Sequence, residues 1–178
     1  MTASAPVRRF AVALTAVACA AVLFHAQVAS ALVTRGDDML RAGDADGALR
    51  YYERAIRLDA RSAAAADRLA FSLLLRRRPG DATRAFRAAG DALRSLPGDP
   101  LLLADRAFAA EQLGRWRDAE RAFAAAAARA RDARYAHLAA RMAARAHDLP
   151  AERADARAAL RLDPHFAPSR ALLAGLGG

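Results

Sequence analysis

Arg134, His137, Arg141 and Arg145 stand three and four residues apart, the spacing that puts side chains on one face of a helix. Guanidinium groups in such a row can grip carboxylates, which is binding chemistry rather than catalysis. His137 has no acidic neighbour, and His147 has only Asp148 beside it, so both histidines read as surface residues and neither as a ligand or a general base. The constellations that would do covalent or phosphoryl chemistry are missing. There is no Gly-x-Ser-x-Gly elbow, no phosphate-binding Gly-rich loop and no His-Glu-x-x-His pair. Cys19 is the only cysteine, which excludes an internal disulfide and any Cys/His zinc spacing. The expectation is a protein that is not an enzyme, with no catalytic residue, no metal and no cofactor.

The elements that must carry the basic row follow from composition. Alanine supplies about 53 of 178 residues, there is a single isoleucine, and asparagine and lysine are absent. Alanine loses no side-chain entropy in a helix, so an all-α chain is expected. Small side chains let helix backbones approach closely but bury little area each; the few large residues then carry much of the packing. The formal net charge is +9, all of it from arginine. A basic chain can suit nucleic acid, anionic lipid or acidic protein. Here the arginines are scattered among aspartates, which favours a solvated, salt-bridged surface, and the dense basic face with stacking aromatics that nucleic acid requires is not seen.

A repeated pattern organises the chain. Ala48-x3-Tyr52-x2-Ala55, Ala82-x3-Phe86-x2-Ala89 and Ala119-x3-Phe123-x2-Ala126 recur at spacings of 34 and 37 residues, the period of stacked helical hairpins. Within each, alanine falls where paired helices pass closest and the aromatic follows one turn later on the same face. Tyr52, Phe86 and Phe123 are therefore expected as equivalent core residues. Gly43 and Gly114 mark turns, Asp44 or Asp46 can cap the helix that follows, and Pro164 stops the last one. Repeat two carries Arg77 where the turn glycine should be, and its second helix is expected to run two to three residues long before Pro97. Glu152 replaces the small residue in repeat four.

These motifs resemble the tetratricopeptide repeat (TPR) family over residues 32–164. Ala48-Leu49-x2-Tyr52-x2-Ala55-Ile56-x-Leu58-Asp59 carries the second-helix half of that pattern. The first-helix half is weaker: Leu32-x2-Arg35-Gly36-x2-Met39, Ala66-x2-Leu69-Ala70-x2-Leu73, Leu103-x2-Arg106-Ala107-x2-Ala110 and Ala136-x2-Ala139-Ala140-x2-Ala143. The resemblance implies a TPR-type α-solenoid of about four hairpins, with residues 165–178 forming a C-terminal capping helix or tail. It also implies a groove lined by the first helix of each pair. Carried over by repeat position, that groove takes Leu40, Phe71, Leu74, Phe108, Arg134, His137, Arg141 and Arg145, apolar in the middle and basic toward the C-terminus. It would suit a protein or peptide partner with an acidic end, apolar anchors supplying affinity. The lysines and asparagines with which some members clasp chaperone tails are absent.

The first 31 residues read as an address. Arg8-Arg9 precede an uncharged run from Phe10 to Phe24, and Ala29-Ser30-Ala31 has the form of a cleavage site. Fifteen residues fall short of the roughly 20 needed to span a bilayer, but extension through Val33 would make an uncleaved anchor in the inner membrane. Either version exports the rest of the chain to a bacterial periplasm, soluble after cleavage or anchored. The expectation is a non-enzymatic interaction adaptor of the cell envelope, or alternatively a membrane-anchored, self-associating structural subunit of an envelope assembly.

Overall fold

In this computed structural model the structure describes residues 5–177; within the apolar N-terminal stretch it describes the side chain of Thr15 and those from Cys19 onward. The signal or anchor assigned to residues 1–31 rests on Arg8, Arg9 and the run after them, which lie largely outside the described side chains. Among the described residues no helix is long and apolar enough to cross a membrane. The described residues are helical throughout, with no strand among them. They divide into two units, residues 1–65 and 66–178.

The first unit is one hairpin, α1 (Ala5–Arg41) and α2 (Ala45–Leu58). Gly43 turns the chain at φ 85°. Its N–H donates to the Leu40 carbonyl and that of Asp44 to Met39, the paired bonds of a Schellman ending. Asp44, not Asp46, caps α2, accepting the Gly47 N–H at 2.7 Å. Tyr52 is fully buried and its hydroxyl donates to Asp37 at 2.7 Å. The two helices meet so closely that a Cβ on Gly36 would collide with the Tyr52 ring.

The second unit stacks α3 (Ala63–Arg76, whose first turn contains the division), α4 (Asp81–Ser95), α5 (Pro100–Gln112), α6 (Trp116–Ala130), α7 (Ala133–Arg145), α8 (Leu149–Leu162) and α9 (Ala167–Gly175). From α4 to α9 each helix packs on the next. Aspartate starts the helices: Asp99, Asp132 and Asp148 accept N–H groups at the ends of α5, α7 and α8, and each satisfies donors no helix can satisfy itself. Phe123 sits fully buried among Ala107, Ala110, Ala119, Ala139 and Met142. Phe108 meets it edge-on at 4.9 Å and Tyr135 stacks at 6.4 Å. As expected for a terminal cap, α9 follows Pro164 and closes the array, with the Arg153 guanidinium donating to the Leu176 carbonyl at 2.7 Å.

The first-helix motif keeps its register throughout: Gly36, Ala70, Ala107 and Ala140 are all buried. Repeat two departs from the expected second-helix register. Counting from the turn glycine, Gly80 matches Gly43 and Gly114, so Ala85, Ala89 and Ala92 take the places of Ala48, Tyr52 and Ala55 and of Ala119, Phe123 and Ala126; all are buried. Phe86 is not equivalent to Tyr52 and Phe123. It is partly buried at the margin of the Phe123 cluster, between the guanidinium groups of Arg106 and Arg115 at 4.9 and 4.5 Å from its ring centre. Nor does α4 run two to three residues long: it has 15 residues, as α6 has, against 14 in α2 and α8, and the extra residues lie in the α3–α4 turn. Arg77 ends α3 at φ 54°, as Gly114 and His147 end α5 and α7 at 69° and 57°, and then Arg78, Pro79 and Gly80 intervene. A bidentate pair holds this wider turn, Arg76 donating to Asp81 at 2.9 and 2.6 Å while Asp81 also accepts the Arg78 N–H at 3.0 Å. Asp81 is 2% exposed, and the Arg76 hydrogen bond holds its carboxyl below the usual range.

Candidate functional site

The first helices of the second unit, α3, α5 and α7, carry one face in common register. Phe71, Phe108 and Arg141 are equivalent positions, 37 and 33 residues apart, each set by its distance from the left-handed residue that ends its helix. The three helices are tied along this layer. Gln112 donates to the Leu74 carbonyl at 3.2 Å, and Arg145 pairs with Glu111 at 3.6 Å. Phe71 is 45% exposed and Phe108 37%; Leu75 and Leu101 on the same helices are also exposed. An aromatic that keeps this much surface at two successive equivalent positions is unusual for a core residue, although the Phe108 edge rests on Phe123.

The other expected groove residues are placed unevenly. Leu40 is half-buried in the first unit. Leu74 is 7% exposed and offers little surface. His137 lies beneath α9, its Nδ1 3.1 Å from the Ser169 hydroxyl and its ring edge-on to Phe166 at 5.7 Å; burial and the Arg141 charge push its pKa down. Arg134 forks on the Asp132 carboxylate at the start of its own helix. Arg141 is exposed. Arg145 is brought together with Phe108: both line a cleft of about 490 Å³ with Arg77, Glu111 and Gln112.

Arg145 also lies 5.0 Å above the Trp116 ring. There it borders a second cleft of about 790 Å³ with Arg115, Arg117, Asp118, Arg121 and His147. Asp118 accepts from Arg115 at 2.8 Å and from Arg121 at 2.5 Å, and these bonds hold its pKa down, the Arg121 bond most. Sequence reasoning did not place Arg77, Trp116 or Arg117 in the site. The available signal was Arg77 and His147 standing where the other two repeats have glycine.

A buried carboxyl pair sits between α3 and α5. Asp105 is 6% exposed and hydrogen-bonds Asp67; its Oδ2 has no partner. Burial foremost, then the Asp67 charge, pushes the Asp105 pKa up to about 8. The pair thus shares a proton at neutral pH, because two adjacent carboxylates cannot both ionise out of water. A second acidic group joins α6 to α8: burial and the charges of Glu120 and Asp148 raise Asp155 to about 6. Among the described residues no cluster of His, Cys, Asp and Glu could hold a metal ion.

No family model and no curated protein matches this chain. Solved structures do. MamA residues 41 to the end, from Desulfovibrio magneticus RS-1, superpose with a TM-score of 0.68 at 20% identity, over 83% of this chain and 82% of that one. A tetratricopeptide repeat protein from Parabacteroides merdae gives 0.67 at 17% identity, over 84% and 59%. YrrB, a TPR protein with an unusual peptide-binding site, gives 0.63 at 16% identity, over 78% and 70%. At these identities the likeness is one of fold: the chain is a TPR-type α-solenoid.

Proposed function

We propose that this TPR-type chain is a non-enzymatic adaptor of the bacterial cell envelope that holds a partner polypeptide on the first-helix face of α3, α5 and α7. The observation that carries the reading is the pair Phe71 and Phe108, equivalent in successive repeats and 45% and 37% exposed. Exposed apolar anchors bordered by polar groups are where protein interfaces concentrate their energy. Arg141 and Arg145 continue the face with positive charge suited to an acidic end of the partner. YrrB, with its peptide-binding site, supports polypeptide binding as an activity of this fold. Residues 1–31 would deliver the chain to the periplasm, cleaved or retained as an inner-membrane anchor. The exposed run Val22, Leu23 and Phe24 on α1, each more than 60% exposed, favours retention as an anchor over cleavage, since free water is a poor place for three consecutive large apolar residues.

Chemical crosslinking and mass spectrometry from the native envelope test this reading, comparing wild type with Phe71→Ser, Leu75→Ser and Leu101→Ser combined. Loss of one or more partners from the variant is expected. An unchanged partner set, or recovery of the chain itself as the sole crosslinked species, overturns it. The N-terminal residue of the mature protein separates cleavage from anchoring.

A further inference from the structure

Three clefts of the second unit join end to end. The cleft at the wide α3–α4 turn, about 360 Å³, shares Arg77 and Gln112 with the cleft beside Phe108. That one shares Arg145 with the cleft around Trp116. The result is a trough along the turn ends of repeats two, three and four. Six arginines line it against two carboxylates, Glu111 and Asp118, and Asp118 is already satisfied by Arg115 and Arg121. Arg77 and Arg117 are exposed and make no ion pair among the described residues. We infer that this trough is a docking track for an extended acidic segment of a partner protein, with Phe108 and the Trp116 edge as apolar anchors.

Backbone conformation points the same way. Arg77 and His147 adopt left-handed φ values of 54° and 57° at positions where Gly43 and Gly114 serve elsewhere. A side chain there costs roughly 1–2 kcal/mol, and strain of this kind gathers at functional sites. Arg77 and His147 line the trough, whereas the third such residue, Arg131, ends α6 and is not among its lining residues. The alternatives fit less well. A nucleic-acid strand needs a run of open aromatic faces for stacking, whereas the Trp116 face is already covered by Arg145 and Glu111 interrupts the basic track. A second copy offers no consecutive acidic run longer than Asp37-Asp38, and Asp38 already pairs with Arg41.

The proposal rests on the polypeptide-binding reading above, and Trp116 makes it separately testable because it is the only tryptophan. The intact chain is titrated with a short peptide of alternating glutamate and leucine while Trp116 fluorescence is followed. The expected result is saturable quenching or shift, abolished in about 0.5 M salt and weakened about tenfold or more in Arg77→Glu/Arg117→Glu. Arg87→Glu, exposed on α4 and outside the trough, should bind as wild type, and circular dichroism should show each variant folded. A fluorescence response that survives the double reversal unchanged overturns the trough, as does no response at all. Equal binding of a lysine–leucine peptide or of oligothymidylate overturns the acidic-polypeptide assignment, and peptide-driven dimerisation in size-exclusion chromatography overturns the docking track in favour of self-association. Native crosslinking that still recovers a partner sensitive to Phe71→Ser would leave the adaptor reading standing in each of those cases.

Discussion

Asp105→Asn should stabilise this protein, and by an amount that depends on pH. The Asp105 carboxyl titrates at about 8 in the fold against 3.8 for the free side chain, chiefly because it is buried and secondarily because Asp67 faces it. A folded pKa raised above the unfolded one means that the favourable contribution is complete below pH 3.8 and is lost as pH rises toward 8, since only the unfolded chain releases the proton over that interval. From 3.8 to pH 7 is about three pH units at about 1.4 kcal/mol each, so the wild type gives up roughly 4 kcal/mol at neutral pH. Asparagine cannot ionise and still donates to Asp67. The variant should therefore gain about 2–4 kcal/mol at pH 7 and almost nothing at pH 4, once sharing of the proton with Asp67 is allowed for. Urea unfolding followed by helical circular dichroism at pH 4, 5.5, 7 and 8.5 measures it. The difference between the two proteins should widen across that series and level off above pH 8. Parallel stability curves, with a constant offset at every pH, would refute the buried protonated carboxyl.

Asp81→Asn should destabilise by about 3 kcal/mol, because it strips the charge from a bidentate contact with the mostly buried Arg76 guanidinium; denaturant midpoints at constant m-value check it. Gly36→Ala should cost about 1–3 kcal/mol by driving a methyl group into the Tyr52 ring, read as a lowered thermal midpoint, whereas Gly90→Ala, where a Cβ meets nothing within 4 Å, should stabilise by about 0.5–1 kcal/mol. His147→Gly should raise stability by about 1 kcal/mol by relieving a left-handed residue at a helix end, visible as a higher urea midpoint.

Much of the architecture was legible because alanine and glycine report close approach directly. The second-helix pattern placed Tyr52 and Phe123 in the core of their hairpins, and Gly43-Asp44 and Gly114 located the turns before α2 and α6. Repeat two misled for a physical reason. On α4 the sets Ala82/Phe86/Ala89 and Ala85/Ala89/Ala92 have the same spacing, and only the aromatic favoured the first. The three-residue insertion at Arg78–Gly80 decides the register, and the words Gly43-Asp44-Ala45 and Gly80-Asp81-Ala82 were its trace in the sequence. The candidate site was harder to read. The family resemblance, carried over by repeat position, put Phe71, Phe108 and Arg141 on one face, but it could not show that α9 covers His137 or that Arg134 folds back on Asp132. Which arginines are left unpaired depends on the folded turn ends, so Arg77 and Arg117 emerge as trough residues only from the structure.

The adaptor reading stands or falls on where the partner touches. A photo-crosslinking amino acid placed singly at Phe71, Leu101 and Phe108 on the first helices, and at Arg87 and Arg129 on the exposed surfaces of α4 and α6, can be activated in living cells. The account predicts adducts to a second polypeptide from the first three positions and none from the last two. Adducts from α4 and α6 alone, or none from any position in cells where the chain is intact, would contradict it.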